Sequence, residues 1–161
     1  MNRTQWGDSM KSYKKLIFVC TENTCRSIMA EAIFKSIRGS HELEVLSRGL
    51  VVLFSEPMNP KAIAVLKSNR LEVDREFSIP LSAEDLTADT LVLTMTEKEA
   101  VSVIEQFGNK ADVSTVRAFT GQKGDVLEVH GALTEYGMLY EHMDLLVKMI
   151  AEILFKQEEK E

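Results

Sequence analysis

Cysteine is nearly missing from this chain: of 161 residues only Cys20 and Cys25 carry a thiol, and both stand in one short segment. Such a pair is badly placed to staple a fold, so a disulfide scaffold is disfavoured and free thiols in a reducing compartment are expected. Histidine is sparse as well. His41, His130 and His142 are scattered and make no paired ligand spacing with the cysteines, so neither a metal site nor another cofactor is expected. Long apolar runs are lacking. No stretch approaches the length of a bilayer-spanning helix, and the opening MNRTQWGDSMKSYKK has none of the apolar character of a signal peptide, so the expectation is a cytoplasmic protein with no membrane partner. Positive charge is in deficit: 19 Lys and Arg against 25 Asp and Glu leave a formal charge of −6. That disfavours nucleic acid as a partner, because few cations are available to neutralise a phosphate backbone. It leaves a small phosphorylated target open.

What is present suits one well-filled core, since 45% of the residues are hydrophobic and the length makes a second domain unneeded. Residues 1–13 show little apolar pattern and are expected to form a flexible N-terminal extension, with Met10 an alternative start; residues 14–161 form the domain. Lys15–Cys20 (KLIFVC) is a short apolar run of the kind a buried parallel strand makes, and Ser27–Ile37 places Ile28, Met29, Ala32, Ile33 and Ile37 at near-helical spacing. Glu42–Ser47 alternates as a second strand. Asn59-Pro60 supplies an N-cap and a first-turn proline to the helix KAIAVLKSN. Ser82 caps a short helix through Asp89, Thr90–Met95 is a third strand, and Thr96 with Glu99 has capping-box spacing for a helix to Phe107. Asp112–Val116 is a weaker fourth strand, a long connection runs from Phe119 to Gly137, and Leu139, Met143, Leu146, Ile150 and Ile153 stripe a long last helix. Strands alternating with helices predict an α/β, doubly wound fold: a central four-stranded parallel sheet covered on both faces.

In such sheets ligands bind beyond the carboxyl ends of the strands, and the first strand ends at Cys20. The stretch CTENTCRS then runs through Thr21, Glu22, Asn23, Thr24, Cys25, Arg26 and Ser27 into a helix. A short polar loop closed by a helix start aims successive N–H groups at one point, which makes a cradle for a tetrahedral oxyanion. Those donors and Arg26 would favour thiolate over thiol at Cys20, and a guanidinium can hold phosphoryl oxygens bidentately. Ser27 could donate a hydrogen bond to the sulfur as it becomes a leaving group.

These residues resemble a known family. VCTENTCRSIMAEAIF is similar to the phosphate-binding loop of the low-molecular-weight protein tyrosine phosphatases, V-C-x-G-N-x-C-R-S-P-x-A-E, and the likeness spans roughly residues 14–157 through Ser47-Arg48-Gly49, TLVLTMT and GDVLEVHG. The resemblance implies Cys20 as nucleophile, Arg26 as clamp on the transferred group, and Asn23 and Ser47 as supports of the loop. Thr24 resembles the branch of bacterial protein arginine phosphatases, where a β-branched hydroxyl narrows the pocket. Three positions depart from the pattern: Glu22 replaces the loop glycine, Ile28 the proline after Arg-Ser, and Glu128-Val129 the Asp-Pro of the general acid. Glu128 keeps the carboxylate with one more methylene, and Asp125 is a second candidate.

The expected function is therefore a metal-independent phosphatase acting on a phosphorylated protein, on phosphotyrosine by family or phosphoarginine by Thr24, through a cysteinyl-phosphate. The alternative is a catalytically impaired phosphoprotein-binding module, favoured by Glu22 and Glu128-Val129. An arsenate reductase on the same scaffold would need a further cysteine after Cys25, and none exists. Cys25 reads as a packed thiol that could pair with an oxidised Cys20. His130 stands where it could orient Glu128, and Tyr136 where an aromatic could border the pocket. The chain is expected to be a monomer or a weak dimer.

Overall fold

A computed structural model describes residues 12–159. Residues 1–11 of the expected extension lie outside the described residues, whereas Tyr13 is buried and donates its hydroxyl to Asp112 at 2.6 Å. The elements follow in the order β1 (Lys15–Cys20), α1 (Arg26–Ile37), β2 (Glu44–Gly49), α2 (Pro60–Ser68), a 3-10 turn (Ala83–Asp85), β3 (Thr90–Thr94), α3 (Glu97–Phe107), β4 (Asp112–Thr115), α4 (Val116–Phe119) and α5 (Leu133–Glu159). All strands are parallel in the order β2-β1-β3-β4, with Cys20 opposite Gly49 and Phe18 opposite Ser47. The chain winds outward in both directions from the β1/β3 pair, so a switch point opens between the carboxyl ends of those strands.

Alternation along β1 sorts the core into two layers. Leu16, Phe18 and Cys20 face α1, α2, α4 and α5, and pack with Ile28, Phe34, Leu66, Phe119, Met143 and Ile150. Ile17 and Val19 face the other way, against Leu81, Leu86, Val92 and Val103 of α3 and its neighbours. Each such fully buried side chain contributes roughly 1.5–3 kcal/mol. The doubly wound, four-stranded expectation holds.

Several boundaries move. The short helix after Ser82 is only a 3-10 turn, because Asp85 turns its carboxylate back to the Ser82 N–H at 3.1 Å and Leu86 drops into the core. The connection expected from Phe119 to Gly137 begins where expected and is shorter only at its C-terminal end. Thr115 accepts from the Ala118 N–H at 2.9 Å and winds α4, while α5 begins at Leu133 and carries Gly137 inside it. The second strand starts at Glu44 because Leu43 first closes a turn onto the His41 carbonyl.

Candidate active site

The carboxyl end of β1 and the start of α1 deliver one concave site of about 80 Å³, bordered by Cys20, Glu22, Thr24, Cys25, Arg26, Asn59, Glu128, Val129, His130 and Tyr136. Cys25 occupies the N-cap of α1 without a side-chain cap, so the amides of the first turn keep their capacity for an anion. The loop between Cys20 and Arg26 wraps the sulfur. Asn23 donates its backbone N–H to Sγ at 3.2 Å, and the Ser27 hydroxyl lies 3.0 Å away.

Asn23 is the keystone of that curve. It sits at φ 60, a left-handed conformation that asparagine tolerates better than most side chains. Fully buried, its amide donates to Ser27 at 2.7 Å and Ser47 at 3.0 Å, and its carbonyl accepts from the Ile79 N–H and from Arg75 at 2.8 Å. Arg75 also donates to Ser47 at 2.9 Å and to the buried carboxylate of Glu31 at 2.9 Å. Neither Arg75 nor Glu31 was visible as a support in the sequence. Their partners lie far along the chain, and EVDREF carries no motif. The positive φ falls on Asn23 and not on Glu22, so Glu22 takes the glycine position without left-handed strain and stands exposed at the rim. Gly49 is the position that must be small: a Cβ there would come within 3.0 Å of the Glu22 carbonyl carbon and Asn23 Cβ.

Arg26 is nearly fully buried. Nη1 donates to the Val126 carbonyl at 2.9 Å, and Nη2 donates to Glu99 at 3.0 Å and to Glu128 at 3.1 Å. Glu99 does two jobs with its two oxygens. Oε1 accepts from the N–H groups of Met95 and Thr96 at the head of α3, the capping role legible in the sequence, while Oε2 accepts from Arg26 and from the Thr21 hydroxyl at 2.8 Å. The second role was not legible, since the pair spans the sheet.

The electrostatic balance at Cys20 differs from the sequence expectation. Burial pushes the thiol up, and the pull of Arg26 and the Ser27 hydrogen bond does not overcome it. Full burial of the sulfur is the dominant cause, and the Glu99 carboxylate adds a smaller push in the same direction. Cys25 is pushed up to about 12, chiefly by burial. That suits a packed thiol.

The connection carrying Glu128 is tied on both sides. Upstream, Asp125 accepts from the Glu97 N–H at 2.9 Å and Val126 donates to the Met95 carbonyl at 2.8 Å, which commits Asp125 to the head of α3 and leaves it off the border of the site. Downstream, the Tyr136 hydroxyl donates to the Val129 carbonyl at 3.1 Å. Glu128 lies between these anchors. His130 is 3.5 Å from Glu128 but 80% exposed. Tyr136 is buried at the border of the site. Among the described residues, no group of His, Cys, Asp and Glu is arranged to hold a metal ion and no helix is long and apolar enough to cross a membrane.

Residues 15–160 match the family of low molecular weight phosphotyrosine protein phosphatases. A protein-arginine-phosphatase of Bacillus subtilis is 36% identical over 146 residues, covering 88% of this chain and 97% of that protein. A low molecular weight protein-tyrosine-phosphatase of Staphylococcus aureus is 29% identical over 141 residues, covering 87% and 99%. The solved structure of a YwlE arginine phosphatase mutant with a phosphorylated active-site serine superposes with a TM-score of 0.80 at 34% identity, covering 91% of this chain and 99% of that one.

Proposed function

The chain belongs to the low molecular weight phosphotyrosine protein phosphatase family, and from that premise we propose that it dephosphorylates phosphoarginine on proteins with Cys20 as nucleophile, Arg26 as clamp and Glu128 as acid and base. The observation that carries the reading is the convergence on one site of the Cys20 sulfur, the Ser27 hydroxyl at 3.0 Å, the Arg26 guanidinium and the Glu128 carboxylate. Thr21 to Ser27 cradle the phosphoryl group, and Asn23 with Ser47 keep the cradle's curve. The phosphoryl oxygens replace Glu128 at Arg26 Nη2. The freed Glu128 carboxylate takes the Cys20 thiol proton, the resulting thiolate forms a bond to phosphorus as the bond to the leaving nitrogen breaks, and Glu128 passes that proton to the nitrogen. In the second half Glu128 takes a proton from water, the water oxygen bonds to phosphorus, and the sulfur leaves with Ser27 donating to it.

Charge favours phosphoarginine over phosphotyrosine. The side chain carries a dianion at its tip and a cationic guanidinium directly behind it. The site matches that order, with Arg26 at the base and the carboxylates of Glu22 and Glu128 at the mouth, while Thr24 narrows it. The relative named a protein-arginine-phosphatase points the same way. Phosphotyrosine is the second reading, favoured by the buried Tyr136 ring at the border. A chain with only two cysteines, both in one short segment, fits a cytoplasmic setting.

Phosphate release from matched phosphoarginine and phosphotyrosine peptides, without added metal, decides among these. Release from the phosphoarginine peptide is expected to be faster by about 10-fold or more, to fall to background in Cys20→Ser, and to drop about 100-fold in Glu128→Gln. Faster release from phosphotyrosine overturns the substrate assignment, and binding of both peptides without turnover makes the protein a binding module.

A further inference from the structure

Glu128 sits in a connection with no helix or strand of its own, and this chain has valine where the resembling family pattern places a φ-fixing proline after the acid. Something else must fix the backbone. The structure offers a clasp contributed by α2. Lys61, in its first turn, donates its ammonium to the Gly131 carbonyl at 2.6 Å and lies 5.6 Å from the centre of the Tyr136 ring. Asn59, the cap of that helix, donates its side-chain amide to the Tyr136 hydroxyl at 3.1 Å, and that hydroxyl donates on to the Val129 carbonyl. Carbonyls one and three residues beyond Glu128 are thereby held from α2, while Val126 is held from the sheet.

We propose that Lys61 is a positioning residue: its grip on Gly131, backed by the Tyr136 ring, holds the Val129–Gly131 backbone so that the Glu128 carboxylate stays within reach of the leaving atom. The assignment rests on Glu128 being the acid. Lys61 itself is exposed and does not border the site, so it acts through the backbone and not on the substrate. A lysine over a tyrosine face is attracted by the ring, and a charged donor to a carbonyl makes a stronger hydrogen bond than a neutral one. Misplacement of an acid by about 1 Å is costly to the step that needs it and nearly silent to a step that does not.

A pair of small substrates separates the cases. A nitrophenyl phosphate releases nitrophenolate without needing a proton, whereas phenyl phosphate needs one to leave as phenol, and kcat/KM reports the steps through P–O cleavage. Lys61→Met is expected to slow phenyl phosphate about 10-fold more than nitrophenyl phosphate, Lys61→Arg to restore the ratio, and the ratio to stay at the Glu128→Gln value when both substitutions are combined. If Glu128→Gln changes both substrates alike, the acid assignment fails and the clasp with it. If Glu128→Gln discriminates between the substrates but Lys61→Met slows both equally, or adds its full effect to Glu128→Gln, Lys61 is only structural and the proposal is overturned.

Discussion

Few groups ease the Cys20 thiol toward ionisation, and Ser27 is one of the two residues that pull it down against burial. Removing that hydroxyl must therefore raise the thiol further. Ser27→Ala is expected to move the pH midpoint for alkylation of Cys20 by iodoacetate upward by about one unit, corresponding to about 1.4 kcal/mol for one hydrogen bond to the charged form. An unchanged midpoint would mean that Ser27 does not touch the thiolate. The residues of the proposed cradle were legible because strand end, polar loop and helix start follow one another within the stretch Cys20 to Ser27. Their supports were not. Glu99 was legible only as a cap, Glu31 only as the last position of the family pattern, and Arg75 not at all, because each meets its partner across the fold and no spacing rule links Arg75 to Asn23. The sequence also suggested a thiol eased toward ionisation by Arg26; Arg26 does pull that way, but the burial that outweighs it is a property of the folded chain.

The helix α2 couples a folding signal to the site through a single side chain. Asn59 caps it by accepting from the Lys61 N–H at 2.9 Å, and the same amide group donates to Tyr136. These roles come apart on substitution. Asn59→Ser keeps a capping oxygen and is expected to hold stability within about 0.5 kcal/mol, whereas Asn59→Ala loses about 1 kcal/mol. Both lose the amide donor, so both should lower kcat/KM on phosphoarginine peptide by a similar factor of about 3–10, since a hydrogen bond is worth about 1 kcal/mol. Chemical denaturation beside kinetics checks it, and activity that tracks stability would contradict the separation. Elements with strong local signals were read nearly to the residue: β1 by its apolar run, α2 by Asn-Pro, α3 by Thr96 and Glu99. Misreadings fell where tertiary contacts overrode composition. Gly137 argued against an early start to α5, yet Tyr136 and Leu139 bury against the core and carry the helix through it.

Across the molecule, the two outward windings of the sheet meet at β1 and β3, and the site draws on both layers. Arg26 begins the helix on one face and Glu99 lies in the first turn of the helix on the other, so their ion pair bridges the layers over the sheet's edge. The parallel order was legible from the alternation of elements, but this bridge was not. Breaking such a buried pair by removing one partner costs about 3–5 kcal/mol, so Glu99 is bound up with stability as well as with the site. Its carboxylate is also rigid, held at one oxygen by Arg26 and at the other by the Met95 and Thr96 amides. Occupancy of the cradle is therefore expected to reach the head of α3 through Glu99. Inorganic phosphate that immobilises Arg26 should slow hydrogen exchange at the Met95 and Thr96 amides by about 10-fold, with exchange at the far end of α3 unchanged. Equal rates with and without phosphate would mean that the bridge transmits nothing. Slower exchange would make the head of α3 a remote gauge of occupancy, readable without a chromophore, a substrate or a turnover.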